Sequence, residues 1–525
     1  DGSNRKGRSN SPEGRSNDKI LPSMKTPRLL LLLPFLVLAA CTRSMESASS
    51  RNFAVPMTVA VPSATVNPLL PPTRDPNAPL FTPTPDAPHP IPTPRSGAEQ
   101  YIVQAGDTLN QIAQRYNISV EAIAQASGLT NPNWLDVGQV LTIPVPTPQQ
   151  VPADFKIIPD SELVYGPYAA AFDIEAFIQQ QGGYLAQYRE EVDGVSLNGA
   201  QIVQRVALDN SVNPRLLLAI LEYQSGWLSQ AAPDADTLDY PIGFADPNRA
   251  GLYRQLFWAA NELNRGYYWW RAAAVGNWIL ADGNVVAASP LVNAGTAGIQ
   301  HFFAQVYGLS AWQKVISPYG FIETYRALFG DPFAYAYEPL LPPDLQQPPM
   351  QLPFEPGDVW AFTGGPHGAW GDGAAWGALD FAPPGDALGC VPSTAWVVAV
   401  ADGLIVRADN GAVVQDLDGD GLEQTGWNVL YMHVDSRDRV HPSTYLRAGE
   451  RIGHPSCEGG ISTGTHLHLA RKYNGEWIPA DGALPFVLDG WVSIGTGTQY
   501  DGYLRRNGQT IEAWNGRSDA NEIHR

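Results

Sequence analysis

The chain has 525 residues and a formal net charge of −19, from 33 Lys and Arg against 52 Asp and Glu. At about 100–200 residues per domain this length makes three or four domains, and the acidic balance excludes nucleic acid as the main partner, because phosphate binding needs an excess of Lys and Arg. Three Cys in the whole chain exclude a disulfide scaffold and a cysteine-rich metal cluster, whereas six of the nine His fall between His367 and His468.

Residues 1–23 are polar and lack a starting Met. From Met24 the pattern changes: Lys25 and Arg28 give a basic start, Leu29 to Leu38 are apolar apart from Pro34, and Leu38-Ala39-Ala40-Cys41 follows. This is the pattern of a signal peptide that begins at Met24 behind an upstream segment, the two together covering 1–41, with an apolar run too short for a membrane span of about 20 residues. Small residues before a Cys resemble the bacterial lipobox. That resemblance implies that Cys41 becomes a lipidated N-terminus, with a membrane as partner through the lipid anchor and the bacterial cell envelope as location. The other reading is an ordinary cleaved signal with a chance Cys. Residues 42–99 follow as a tether; 13 prolines between positions 55 and 98 make it extended and solvated, because Pro fixes φ and removes a donor.

Residues 100–146 form a small unit. Tyr101-Ile102-Val103 reads as a strand that turns at Gly106. Leu109, Ile112, Ala113 and Tyr116 share one helical face, with Thr108 as cap. A second helix runs from Val120 to Ala126, Asn131-Pro132-Asn133 turns, and Gly138 to Pro144 returns as a strand. The β-α-α-β order, the "V-x-x-G-D-T-L" opening and the "G-Q-x-L-x-I-P" close resemble the LysM module. The resemblance implies binding of N-acetylglucosamine-containing glycan strands at turns around Gly106, Asp107, Thr108 and Asn131 to Trp134.

Residues 160–338 carry helical periodicity rich in Trp and Tyr. Asn213-Pro214 starts a helix, and Leu216 to Leu221 continue it as a buried one toward Ser225-Gly226. The stretch Val212 to Trp227, with Asn293 to Gln300, resembles the lytic transglycosylase branch of the lysozyme superfamily, which implies a mainly α, lysozyme-like domain. Where that family carries its catalytic Glu this chain has Gln224, and Glu222 lies about 200° away around the helix. Glycan cleavage needs a carboxylic acid to protonate the leaving oxygen, so the domain is expected to be non-catalytic. Tyr268, Trp269 and Trp270 fit either sugar stacking or a core.

Residues 355–485 hold the clustered His. Alternation puts His466 and His468 of Gly464-Thr465-His466-Leu467-His468 on one side of a strand, about 7 Å apart. On the strand Asn428 to His433, Trp427, Val429, Tyr431 and His433 share a face. Asp380 sits in Leu379 to Pro384, a strand end. Two His and one Asp leave an open position on tetrahedral zinc, and nearby His can move protons at neutral pH. Ala399 to Val406, Tyr431-Met432-His433 and Gly460 to His468 resemble the lysostaphin-type zinc endopeptidases, nearest the staphylolysin branch.

That resemblance implies an all-β antiparallel fold, one catalytic Zn2+, and hydrolysis of peptide cross-links of peptidoglycan, with glycan strands and stem peptides as partners. It assigns zinc to His367, Asp380 and His468, and the general base and oxyanion stabiliser to His433 and His466. Trp376 stands where most of the family has its first ligand. His367, thirteen residues before Asp380, fits the longer Gly/aromatic loop of the staphylolysin branch, with His441 or His454 as fallback. Cys390 and Cys457 are free to pair outside the cytoplasm or to remain thiols. Asp416, Asp418 and Asp420 resemble the first half of a Ca2+ loop, but Trp427 replaces the closing Glu, so a solvated acidic hairpin tip is the other reading. Residues 486–525 are Gly-rich and β-like, and extend that domain or cover one of its edges.

Overall fold

The computed structural model describes residues 89–525, apart from 93, 94, 96, 105, 117, 146–152, 386 and 387. The signal segment, Cys41 and most of the tether lie outside the described residues. Among the described residues no helix is long and apolar enough to cross a membrane.

Strand β1 (Glu99–Ile102) pairs antiparallel with β2 (Val140–Ile143), and helices α1 (Leu109–Tyr116) and α2 (Val120–Ser127) lie between them in sequence. Thr108 caps α1 reciprocally: its Oγ accepts from the Gln111 amide, and the Gln111 side chain accepts from the Thr108 amide. Tyr101, Leu109, Ile112, Ile123 and Leu141 close a core of this unit's own.

The next unit is helical. Its main helices are α3 (Ile174–Gln181), α4 (Gly199–Asn210), α5 (Pro214–Ser225), α6 (Leu252–Arg271), α7 (Ala294–Val306), α8 (Leu309–Val315) and α9 (Phe321–Phe329). Asn213 caps α5 by accepting from the Arg215 amide, and Pro214 fills its first turn. Leu216 to Leu221 are fully buried. Tyr268 and Trp270 are buried core residues and Trp269 packs beside them.

Beyond residue 354, among the described residues, a nine-stranded antiparallel sheet carries the site. Six of its strands matter here: β3 (Val359–His367), β4 (Ala378–Ala382), β5 (Gly403–Asp409), β6 (Ala412–Asp416), β7 (Trp427–Met432) and β8 (Leu467–Tyr473). The spatial order β5-β6-β7-β8-β4-β3 puts β8 between β7 and β4. Strand Glu522–His524 pairs with β3 at one edge, and Val487–Leu488, Trp491–Gly495, Gly502–Arg506 and Gln509–Glu512 form a separate small sheet. Cys390 and Cys457 are joined as a disulfide.

The register sorts the two faces. Val413, Val429, Tyr431, Leu467, Leu469 and Phe381 point into one core, closed by Phe354, Trp360, Phe486 and Trp491. Val414, Leu430, Met432 and Ala470 point the other way and join the core of the helical unit. Met432 lies opposite His468, and His468 opposite Asp380. The face packed on the helices is therefore the face that bears His468 and Asp380. Polar bonds tie the same surfaces: the Trp477 amide donates to Tyr268 Oη over 2.9 Å, Ser211 donates to the Gly475 carbonyl over 2.6 Å, and Arg407 reaches Asp209 at 2.6 Å.

Candidate metal centre

His367 ends β3, Asp380 is mid-strand in β4, and His468 is near the start of β8; the sheet order brings all three together and buries them. Nε2 of His367 stands 3.0 Å from Nδ1 of His468 and 3.2 Å from Oδ1 of Asp380, and the last two atoms are 3.3 Å apart. A tetrahedral zinc with bonds of about 2.0–2.2 Å places its ligand atoms roughly 3.3 Å or slightly more apart. The protons are on the other sides of the rings. Nδ1 of His367 faces the Gly365 carbonyl at 2.8 Å, and Nε2 of His468 faces the Ala369 carbonyl at 3.0 Å. A carbonyl only accepts, so each ring donates there and turns a lone pair toward its partner.

Two lone pairs thus meet a carboxylate oxygen, Oδ1 of Asp380, that is buried and has no hydrogen-bond partner. Such a donor set is built to share a cation, and these three residues form a group whose ligand atoms all lie within 4.8 Å of one another. Gly364, opposite Asp380 in β3, makes room for the carboxylate: a Cβ there would stand 2.6 Å from Oδ2.

His433 and His466 complete the cluster. Their ring centroids are 4.5 Å apart, and His466 Nε2 lies 3.7 Å from Asp380 Oδ1. Nδ1 of His433 donates to the Glu458 carbonyl over 2.9 Å, and Nδ1 of His466 to the Gly464 carbonyl over 2.8 Å. Nε2 is therefore the free nitrogen of each ring. Burial, with the neighbouring His466 and His468, pushes His433 down to about 3, so it is neutral across ordinary pH.

One expectation needs correction. Strict alternation puts His433 on the face of Val429 and Tyr431, yet Tyr431 points away, its hydroxyl bonded to Gln415 and the Val400 amide. His433 follows the last residue of β7 and has φ of 66°, in the left-handed region, which breaks the alternation and brings its ring within 6.1 Å of the His468 ring. His454 packs against Trp396 with ring centroids 3.9 Å apart, donates from Nδ1 to the Ala395 carbonyl over 2.7 Å and stands 3.6 Å from Asp438, outside this group.

Sequence reasoning missed two contributors. Tyr500, between two strands of the small sheet, stacks on His367 with centroids 4.2 Å apart, and its backbone bonds Gly365 and Pro366. It holds φ of 67°, and a bulky residue in that region carries no sequence signal. The other is the loop 368–377 that supplies the Ala369 carbonyl.

Elsewhere, Asp107 accepts from Tyr101 and the Gln104 amide, Asn131 accepts from the Asn133 amide, and Gly106 sits at φ of 92°. Asp416, Asp418 and Asp420 are also close enough together for a cation. Asp416, however, accepts from the amides of Asp418, Gly419 and Gly421, and Asp420 from Leu422 and Thr425. In the helical unit, the Gln224 amide donates to the Ile242 carbonyl over 2.8 Å and its oxygen accepts from Tyr307, while Glu222 accepts from the amides of Leu228 and Ser229.

Comparison with known proteins adds to this geometry. Residues 156–344 match the family model "LasA, N-terminal domain", and residues 101–144 match "LysM domain". The chain is 28% identical over 386 residues to protease LasA of Pseudomonas aeruginosa, covering 68% of this chain and 82% of that protein. The resemblance to the lysostaphin-type metallopeptidases stands. It extends beyond the sheet, since 386 residues exceed the whole stretch from Glu355 to Arg525 and the alignment must include helical residues. Beta-lytic metalloendopeptidase of Lysobacter enzymogenes is 28% identical over 167 residues, which is 30% of this chain and 90% of that one. The solved deep-sea M23 metalloprotease pseudoalterin is 25% identical, with 35% of this chain and 99% of that chain covered at a TM-score of 0.28.

Proposed function

We propose that this chain is a zinc-dependent endopeptidase that hydrolyses peptide cross-links of bacterial peptidoglycan. The observation that carries the reading is the convergence of His367 Nε2, Asp380 Oδ1 and His468 Nδ1, with the free Nε2 atoms of His433 and His466 alongside. Zinc held by the three ligands would polarise the scissile carbonyl and lower the pKa of water. His433, oriented by the Glu458 carbonyl with Nε2 free, would accept the proton of the attacking water. His466, with its Nδ1 proton committed to Gly464, turns Nε2 toward the same space and in its doubly protonated form would stabilise the developing oxyanion, and the proton accepted by His433 would pass to the leaving amine as the C–N bond breaks.

The LysM module holds glycan strands near Gly106, Asp107, Thr108 and Asn131 to Trp134, and so raises the local substrate concentration. In this reading the helical unit cleaves no glycan: Gln224 is an amide bonded to the Ile242 carbonyl and Tyr307, and Glu222 caps a turn. The likeness of that unit to lysozyme has no independent support. Zinc is the one ion proposed, because Asp416 and Asp420 bond groups of their own loop. Lipidation at Cys41 anchors the protein in the cell envelope.

The test uses residues 99–525 incubated with purified peptidoglycan, with and without a zinc chelator, followed by mass spectrometry of the released fragments. New free amino groups that vanish with chelator are expected, and His468→Ala is expected to lose zinc and cleavage together. Binding without cleavage, or full activity in His468→Ala, would sink the reading. Lipidation at Cys41 is tested separately, by the mass of the N-terminal peptide of membrane-extracted protein.

A further inference from the structure

The segment 368–377 touches all three proposed ligands. It begins directly after His367, leads into the strand of Asp380, and supplies the Ala369 carbonyl that fixes the His468 tautomer. Its sequence, Gly-Ala-Trp-Gly-Asp-Gly-Ala-Ala-Trp-Gly, contains four glycines. Glycine loses the most backbone freedom on folding, so little in the segment itself dictates its shape. Its internal backbone bonds run from Ala369 to Ala375, Ala374 to Gly371 and Gly377 to Ala375.

Outside the segment, the Ala480 amide donates to the Trp376 carbonyl over 2.8 Å, Ala369, Ala374 and Ala375 are buried in the shared core, and α6 supplies side-chain bonds. The buried Asn261 carboxamide accepts from the Gly373 amide over 2.9 Å and donates to Asp372 over 2.6 Å. Gly373 lies directly against the helix, where a Cβ would come within 2.0 Å of the Asn261 carbonyl oxygen. Arg265 also reaches Asp372, at 2.9 Å, but the Asp372 side chain is 71% exposed. An ion pair open to water contributes little, so the buried bond from the Gly373 amide to Asn261 is the firmest hold that α6 supplies.

We propose that Asn261 of the helical unit is a positioning residue for the metal centre, acting through Asp372 and Gly373 on the loop whose Ala369 carbonyl orients His468. The proposal rests on the zinc reading above. It makes the helical unit a working part of the metal site. A group of this kind, which orients a ligand without binding the metal, typically changes metal affinity 10–100-fold when removed.

The experiment uses the full chain. Zinc dissociation constants are measured by chelator competition, cobalt-substituted protein is examined for its d–d absorption, and thermal unfolding is followed without metal. Asn261→Leu keeps the branched shape and loses both bonds. It is expected to raise the zinc Kd about 10-fold or more and to shift the cobalt spectrum. The double change Asn261→Asp with Asp372→Asn, in which the carboxylate at 261 accepts from both the Gly373 amide and the new carboxamide at 372, is expected to recover part of that affinity. Ser211→Ala, in the same interface but away from the loop, is expected to lower thermal stability while the Kd stays within about twofold. Should Asn261→Leu fail to fold, Asp372→Ala, at a carboxylate 71% exposed, removes one of the two Asn261 bonds and carries the test from the loop side. A zinc Kd unmoved in Asn261→Leu, or raised equally in Ser211→Ala, overturns the proposal. Wild-type protein that binds no zinc, or His468→Ala protein that binds it unchanged, overturns the zinc reading instead.

Discussion

Gly364 offers a test of the proposed Asp ligand that leaves every ligand in place. It sits opposite Asp380 in the β3–β4 register, and a Cβ added there would stand 2.6 Å from Oδ2 and 3.0 Å from both Cβ and Cγ of Asp380. Ordinary contact begins near 3.4 Å, so the carboxylate must retreat by about 0.8 Å, the difference 3.4 − 2.6. Productive site geometry tolerates only about 0.5 Å. Gly364 has no positive φ, so alanine meets no backbone strain, and the strand itself gains about 0.5–1 kcal/mol from losing a glycine. Overpacking opposes that gain at about 1–3 kcal/mol. The expected outcome for Gly364→Ala is a folded protein within about 2 kcal/mol of wild type whose zinc affinity falls by at least about 10-fold. Chelator competition reads the affinity, and chemical denaturation of the apo protein reads the stability. Unchanged zinc affinity in a variant that shows the overpacking cost would refute Asp380 as a ligand.

Three further outcomes are expected. Burial would raise Glu423, but Arg407 and Lys472 hold it at about 2; its contribution, on the order of 3 kcal/mol, is present above pH 4.5 and lost as pH falls toward 2. Glu423→Gln should therefore flatten the acid limb of stability against pH, and an unchanged limb would contradict the assignment. Breaking the Cys390–Cys457 bond by the double Cys→Ser change opens a loop with 67 residues of separation and should lower stability by about 4 kcal/mol; a loss below about 1 kcal/mol would show that the unfolded chain is not what the crosslink restrains. Trp134, 69% exposed on the LysM unit, is expected to contribute glycan contact, so Trp134→Ala should weaken retention on insoluble peptidoglycan while leaving cleavage of a soluble peptide unchanged; equal retention would remove Trp134 from the binding surface.

Much of this architecture was legible because short-range patterns determine it. The capped helix starting at Leu109 and the helix after Asn213-Pro214 follow from local chemistry that operates within a few residues. The His-x-His pair on β8 shows as alternation, since a strand interior keeps its period of two. His433 escaped the same reasoning because a single left-handed residue at a strand end resets the direction of its side chain. Tyr500 and Asn261 lie 133 residues after and 106 residues before His367 (500 − 367 and 367 − 261). Neither position has a local signature, and only the packing of the small sheet and of α6 brings them to the site. The shared core was equally hidden: the apolar run of β7 shows that both faces are buried, but not that one of them is buried by helices from another part of the chain.

That shared core bears on which parts of this chain can be exchanged. Read as a line of text, the units look like beads separated by prolines, each free to be swapped with another. The LysM unit fits that picture, since Leu109, Ile112, Ile123 and Leu141 form a core of their own. The helical unit does not. Leu430, Met432, Ala470 and Trp477 of the sheet are buried together with Leu216, Leu263 and Tyr267 of the helices. A graft that moved the sheet alone into a new host would expose an apolar face beside Asp380 and His468. Recombination should therefore succeed at the junction near residue 150 and fail near residue 345, although the proline content invites a cut at both.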